Sequence, residues 1–205
     1  VKPHALVFPR EKKCYYIDMK EIELKARVAD VCTVEKLIGT FATFERSVVR
    51  DDTYYVNSSL KGRKIRFRLE TCGKNKSWLV TYKKKESIIS SDGTATEVNE
   101  ELETAVENPE PLLKFLEDEG YVVSLKKHKE VRDWLFDGAT LELCMVPPLG
   151  WFLEIEILSD DGDSKAVEEA QKKLRKILEK CGLSEKDIET RYYSQLLKEA
   201  VGNAK

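Results

Sequence analysis

Charge recurs at every second position in several stretches of the chain. Glu21-Ile22-Glu23-Leu24-Lys25-Ala26 alternates two carboxylates and an amine with small or aliphatic groups. Lys64-Ile65-Arg66-Phe67-Arg68-Leu69 alternates three cations with apolar side chains. Lys83 falls in step with Thr81, Glu101 and Glu103 fall in step with Glu97 and Asn99, and Glu154 and Glu156 stand opposite Leu153, Ile155 and Ile157. A period of two belongs to a β-strand, so each row shares one face. Clustered carboxylates suit hard divalent cations, which prefer oxygen ligands, and Arg and Lys suit phosphate oxygens, Arg through its bidentate fork. Brought together, Glu21, Glu23, Glu154 and Glu156 would hold Mg2+ or Mn2+, and Lys25, Arg66, Arg68 and Lys83 would hold a polyanion. That pairing is the equipment of phosphoryl chemistry, which proceeds by positioning and charge neutralisation.

The rows need strands that present them to one another. Alternation predicts strands at Lys20–Val28, Glu45–Val56, Gly62–Glu70, Ser77–Lys83, Thr96–Val106, Tyr121–Trp134, Thr140–Val146 and Trp151–Leu158. Helices are expected over Asp30–Gly39, from an Asn108 cap with Pro109 in the first turn to Gly120, and from Ser164 to Cys181 with Gly182 as the stop. Ser184 is expected to cap a last amphipathic helix through Leu197. Helices interrupt the strands in few places, so the βαβα rhythm of a parallel sheet is absent and an antiparallel sheet or barrel is expected. Half-buried sheets commonly carry one wet polar face that needs no function. Here those faces hold little Ser, Thr or Gln, and Glu, Lys and Arg dominate on strand after strand. The helices carry apolar stripes that must pack on the apolar face. If the sheet closes, the helices cover its outside and the charges line its lumen, where they must neutralise each other or a ligand.

Composition removes several other classes. The 205 residues hold 35 Lys and Arg against 37 Asp and Glu, so no global field attracts nucleic acid. The charged fraction is 35%, against a usual quarter or so, while mean hydropathy is −0.44. No apolar run approaches the roughly 18 residues that a membrane helix needs, and no signal-peptide pattern opens the chain. Five widely spaced cysteines, with no C-x-x-C and two histidines, read as free thiols in a reducing cytoplasm. No G-x-x-x-x-G-K-[ST] is present, which excludes the P-loop route to triphosphates. The expected organisation is a lead-in over 1–19 and one domain over 20–200.

Ordered along the chain, Glu21-Ile22-Glu23-Leu24-Lys25, Asp52-Thr53-Tyr54-Tyr55, Ile65-Arg66-Phe67-Arg68, Thr81-Tyr82-Lys83, Glu101-Leu102-Glu103 and Leu149-Gly150-Trp151-Phe152-Leu153-Glu154-Ile155-Glu156 resemble the CYTH superfamily, the triphosphate tunnel metalloenzymes. The C-terminal half, with Lys129-Glu130-Val131-Arg132 and Arg191-Tyr192-Tyr193-Ser194, is most similar to class IV adenylyl cyclases and their archaeal relatives. The resemblance implies a β-rich α+β fold: an eight-stranded antiparallel β-barrel, the triphosphate tunnel, with helices packed outside. It also implies Mg2+ or Mn2+ as cofactor and a cytoplasmic, often dimeric protein. By family role Glu21, Glu23, Glu154 and Glu156 bind metal, Lys25, Arg66, Arg68, Lys83 and Arg132 bind phosphate, and Glu101 and Glu103 support them. Where the family carries L-D-x-V, this chain has Leu143-Cys144-Met145-Val146, and Glu142, on the same face, is the candidate replacement. Strict alternation puts Lys129 and Arg132 on opposite faces, so both reach the lumen only across a bulge, and Arg132 is the expected phosphate ligand. Three activities fit: cyclisation of ATP to cyclic AMP and pyrophosphate; hydrolysis of tripolyphosphate, thiamine triphosphate or a nucleoside triphosphate; and binding of a polyphosphate without chemistry.

Overall fold

The computed structural model describes residues 20–60, 63–89, 95–159 and 164–202, with the backbone alone for 20, 83–89, 95–101, 159, 164 and 202. The expected lead-in over 1–19 lies outside the described residues. The strands are β1 (Lys20–Val28), β2 (Thr43–Val56), β3 (Lys64–Cys72), β4 (Asn75–Ile89), β5 (Ala95–Val106), β6 (Val122–Phe136), β7 (Ala139–Val146) and β8 (Gly150–Ser159). They close into an antiparallel barrel in the order β1-β5-β4-β3-β2-β6-β7-β8. Closure leaves no open edge for another chain to pair with. Strand β4 runs past the expected Lys83 because its polar stretch from 83 to 87 hides the alternation while still pairing with β5.

Local sequence signals set the starts of α1 and α2 and the end of α3. In α1 (Val31–Ile38) the Asp30 carboxylate accepts the Thr33 N–H at 3.1 Å, a cap that typically contributes about 1 kcal/mol. In α2 (Glu110–Asp118) Pro109 takes the cap position, and Asn108 sits one residue earlier, its side-chain oxygen accepting the Glu110 N–H at 3.0 Å. Helix α3 (Ser164–Lys180) ends before Gly182, whose φ of +76° is left-handed. That conformation favours glycine, and a Cβ there would also lie 2.8 Å from Leu37 Cδ1, so the leucine side chain would have to shift.

The expected helix from Ser184 to Leu197 is not continuous. Ser184 caps only a 3-10 turn, Glu185–Asp187, and the backbone is extended at Ile188 before α4 (Tyr193–Gly202) begins. Tertiary pairing overrides the helical pattern. Strand β1 pairs with β5 over Lys20–Glu23, and further along the strand the Lys25 carbonyl accepts the Glu189 N–H at 2.8 Å while Ala26 bridges Ile188.

The main apolar core lies outside the barrel. Ile22 and Ala26 of β1, Leu141 and Leu143 of β7, and Leu153 and Ile155 of β8 face outward against Val34 and Ile38 of α1 and Leu174 and Leu178 of α3. Each such Leu or Ile contributes about 1.5–3 kcal/mol through burial. The helices therefore pack on the apolar face, and the charged residues that alternate with this core face the lumen. Among the described residues, no helix is long and apolar enough to cross a membrane.

Candidate functional site

The lumen holds a cavity of about 930 Å³ lined mainly by charged side chains, with cations in excess on one side and carboxylates on the other. One wall is cationic: Lys64, Arg66 and Arg68 from β3, Arg50 from β2, and Lys127 and Lys129 from β6. The facing wall carries Glu21 and Glu23 from β1, Glu154 and Glu156 from β8, and Glu142 from β7. Register explains the grouping, because side chains directly opposite across antiparallel strands share a face. Glu23 lies opposite Glu156, Lys25 opposite Glu154, and Glu154 opposite Glu142. On the other wall Arg66 lies opposite Tyr54, and Arg68 lies opposite Asp52.

Much of this charge is held by other charge. Arg50, 5% exposed, reaches Glu70 at 3.0 Å, Asp133 at 3.6 Å and both oxygens of Glu142 at 2.7 Å. Arg46 bridges Glu70 and Asp133 at 2.6 and 3.0 Å. Arg68 grips Asp52 through two hydrogen bonds of 2.7 and 3.1 Å, and Lys127 stands 3.3 Å from the same carboxylate. Arg66 donates to Thr81 at 3.0 Å and to Glu103 at 3.2 Å. Burial penalises the charged forms of Asp52, Asp133, Glu142 and Glu154, and neighbours decide the outcome. Burial raises the Asp52 and Glu142 pKa values, but Lys127 and Arg68 beside Asp52, and Arg50 and Lys129 beside Glu142, hold both well below the usual carboxylate range. Asp133 goes the other way: burial first, then the neighbouring Glu142, push it up to about 6 against the pull of Arg50 and Arg46. Burial works against the Lys129 ammonium, yet the Glu154 and Glu142 carboxylates raise its pKa well above the ordinary value.

The acidic wall can accept a divalent ion in a particular way. Among the described residues, no three His, Cys, Asp or Glu side chains converge as a ready-made cage. Glu154 Oε1 is nonetheless buried and has no hydrogen-bond partner, and Glu23 and Glu156 are cross-strand neighbours one register row away. Such a set of hard oxygens fits Mg2+ or Mn2+, since Mg2+ usually takes one or two carboxylates and completes its shell with water and substrate phosphates.

A second segment enters the lumen from the C terminus of the fold. The Tyr193 ring has Lys25 Nζ at 4.5 Å from its centroid, Lys127 Nζ at 5.0 Å and Lys129 Nζ at 5.6 Å. Its hydroxyl lies 3.7 Å from Cys144 Sγ, and its ring meets Phe152 edge-on at 5.1 Å. With Leu196, Val48, Val131 and Val146 these groups form an apolar cluster among the inward side chains. Burial, with Glu154 nearby, pushes the Cys144 thiol up to about 12, so at neutral pH it is an inert, uncharged filler.

Most of the expected site residues line the cavity: Glu21, Glu23, Glu154, Glu156, Lys25, Arg66, Arg68, Glu103, Lys129 and Glu142. Lys83 and Glu101 have only their backbones described, and Lys83 is paired in register with Lys64 on one side and Glu101 on the other. Arg132 is a correction. Its guanidinium points out of the barrel, paired with Glu35 of α1 and lying 4.9 Å from the Trp151 ring. Register runs unbroken from Lys129 to Arg132, so no bulge turns it inward. The inward cations of β6 are Lys127 and Lys129, two residues apart, and Lys127 was legible by the same period-two rule. Arg46, Arg50 and Asp52 of β2 and Asp133 of β6 were also missed, since both inward faces mix charge with apolar groups, including the buried Val48 and Val131. His128 lies on the outside, 2.7 Å from Asp51.

A closed eight-stranded barrel with opposed ionic walls is the frame of a triphosphate tunnel, and the comparisons agree. The CYTH domain family profile matches residues 19–193, so the chain belongs to the CYTH family. No curated protein sequence matches it. Among solved structures, the PH1819 protein of Pyrococcus horikoshii is 27% identical with a TM-score of 0.72, covering 88% of this chain and 99% of its own. A candidate adenylate cyclase from Vibrio parahaemolyticus shares the fold at 20% identity and a TM-score of 0.67, over 87% of this chain and 97% of its own. The RNA triphosphatase domain of a mimivirus mRNA capping enzyme shares it at 13% identity and 0.51, over 78% and 89%.

Proposed function

We propose that this protein binds a nucleoside triphosphate in the lumen with Mg2+ or Mn2+ and acts as a class IV adenylyl cyclase does, converting ATP to cyclic AMP and pyrophosphate. The opposed walls carry this reading, with cations on β2, β3 and β6 facing the carboxylates of β1 and β8 across one cavity. Arg66 and Arg68 grip phosphate oxygens, with Lys25, Lys64 and Lys127 around them as point charges. When bound, the divalent ion supplies Lewis-acid polarisation and charge neutralisation at the phosphates. Glu23, Glu154 and Glu156 are the residues to hold it. In the cyclase reaction the ribose 3′-oxygen forms a bond to the α-phosphorus as its proton passes to solvent water, and the bond to the pyrophosphate oxygen breaks, the electron pair leaving with pyrophosphate. Cations along the leaving pyrophosphate stabilise the charge it gathers.

A nucleotide is favoured over an inorganic chain by what else lines the cavity. Tyr54, Val56 and Leu125 sit beside Lys64 and Arg66, an apolar and aromatic lining suited to a base and of no use to bare polyphosphate. The test is a product assay with ATP and Mn2+. Cyclic AMP with pyrophosphate in equal amounts is the expected result, and release of orthophosphate alone, from ATP or tripolyphosphate, would replace cyclisation with hydrolysis. Glu23→Gln should reduce either turnover about a hundredfold or more.

A further inference from the structure

Lys129 is only 2% exposed, at the boundary between the two lumen walls. Its Nζ donates to Glu154 Oε2 at 2.6 Å and reaches Glu142 Oε2 at 3.5 Å. Glu142 is already saturated, because Arg50 Nη1 lies 2.7 Å from both of its oxygens. Glu154 is half used: Lys129 holds Oε2, and Oε1 is buried without a hydrogen-bond partner. The acidic wall thus offers one open oxygen at Glu154, next to the Glu23–Glu156 row, and a fixed positive charge immediately beyond it.

We infer that the Lys129 ammonium stands in the place of a second divalent ion, so that this lumen takes one metal ion per chain with its triphosphate. The inference deepens the proposed metal–triphosphate reading and rests on it. Two-metal sites for phosphoryl transfer set their ions about 3.5–4 Å apart as a clamp on the reacting oxygens. An ammonium 2.6 Å from Glu154 Oε2 already occupies that neighbourhood, and a like charge so close in a buried site repels another cation strongly. Lys129 has nowhere to withdraw to, with 3% of its side chain exposed and Tyr193 over it. Lysine supplies charge without a coordination shell, so Lys129 is a positioning residue that neutralises the Glu154 and Glu142 pair.

Native mass spectrometry of the whole chain with Mn2+ and tripolyphosphate counts the ions in the complex directly. The expected result is one Mn2+ per chain for the wild type and two for Lys129→Met, which nearly keeps the side-chain length and frees Glu154 Oε2. Two ions in the wild type would overturn the inference, as would a single ion in a Lys129→Met protein that circular dichroism shows to be folded. Should that variant not fold, Lys129→Arg retains a cation and should hold the count at one, and a count of two there overturns the inference equally. A wild type that takes up tripolyphosphate but no Mn2+ would overturn the metal reading itself, an outcome distinct from a count of two.

Discussion

The apolar shell outside the barrel and the ionic lattice inside it are made by alternate residues of the same strands. Ile22 and Ala26 of β1 are fully buried in the shell, while Glu23 and Lys25 between them line the lumen. Leu153 and Ile155 of β8 pack under α3, and Glu154 between them meets Lys129. The shell is held by non-directional burial, so a lost methylene costs in proportion to its area and cavity. The lattice is held by pairing, so a lost partner leaves a charge stranded out of water. Stability comes mainly from the shell. Desolvation of its charges offsets much of what the lattice gains from pairing.

The contrast can be broken most visibly by one substitution in each region. Arg50→Ala strands Glu70, Asp133 and Glu142 and should cost about 3–5 kcal/mol of unfolding free energy at pH 7. Leu174→Ala in the shell should cost about 2–5 kcal/mol. Urea unfolding at lower pH separates them: the cost of Arg50→Ala shrinks as the stranded carboxyls take up protons, and that of Leu174→Ala does not. Equal costs for Arg50→Ala at both pH values would remove the claim that the lattice is electrostatic.

The pH profile of the unmodified protein sharpens the comparison further. Asp52 and Glu142 have folded pKa values below their unfolded ones, so the stability they supply is complete above the ordinary carboxylate range and is lost as pH falls through it. Asp133 has the opposite sign. Its pKa rises from 3.8 to about 6 on folding, so the native state binds the extra proton and stability declines as pH climbs between those values. Unfolding free energy measured by urea across pH 3–7 should therefore rise through the ordinary carboxylate range and then show a shallow decline as pH approaches about 6, and Asp133→Asn should flatten that decline. A profile unchanged by Asp133→Asn would contradict the assignment.

The smallest expected effect tests the two faces of β6 and β3. Arg66→Ala should weaken tripolyphosphate binding about tenfold or more in a calorimetric titration, since hydrogen bonds to charged groups contribute roughly 1.5–3 kcal/mol. Arg132→Ala, on the outside with Glu35, should change it less than about twofold. Equal losses would mean that Arg132 reaches the lumen after all.

Strand alternation made the rows at 21–25, 64–68 and 154–156 legible, and the apolar helix stripes told which way those rows point. Alternation failed where a likeness outweighed it. The family resemblance favours Arg132, whereas parity alone assigns it outward and assigns Lys127 inward with Lys129. Along β2 the inward row runs Arg46, Val48, Arg50, Asp52, Tyr54, and the buried Val48 breaks the charge pattern that marks the other strands. Tyr193 was beyond any local rule. It reaches the three lysines because Ile188 and Glu189 leave the helical pattern to pair with β1, a long-range bond that no periodicity in residues 184–197 encodes.

That last pairing has a bearing on how the molecule is born. The neighbour of β1 at Lys25 and Ala26 comes from more than 160 positions later, and so emerges from the ribosome after every strand of the barrel. Until it docks, the strand bearing Glu21 and Glu23 is a partly zipped margin of a sheet, and Lys25 has yet to meet the Arg191 carbonyl that it grips at 2.6 Å. The β1 side of the chamber is thus completed only when residues 188–191, made after all eight strands, have docked.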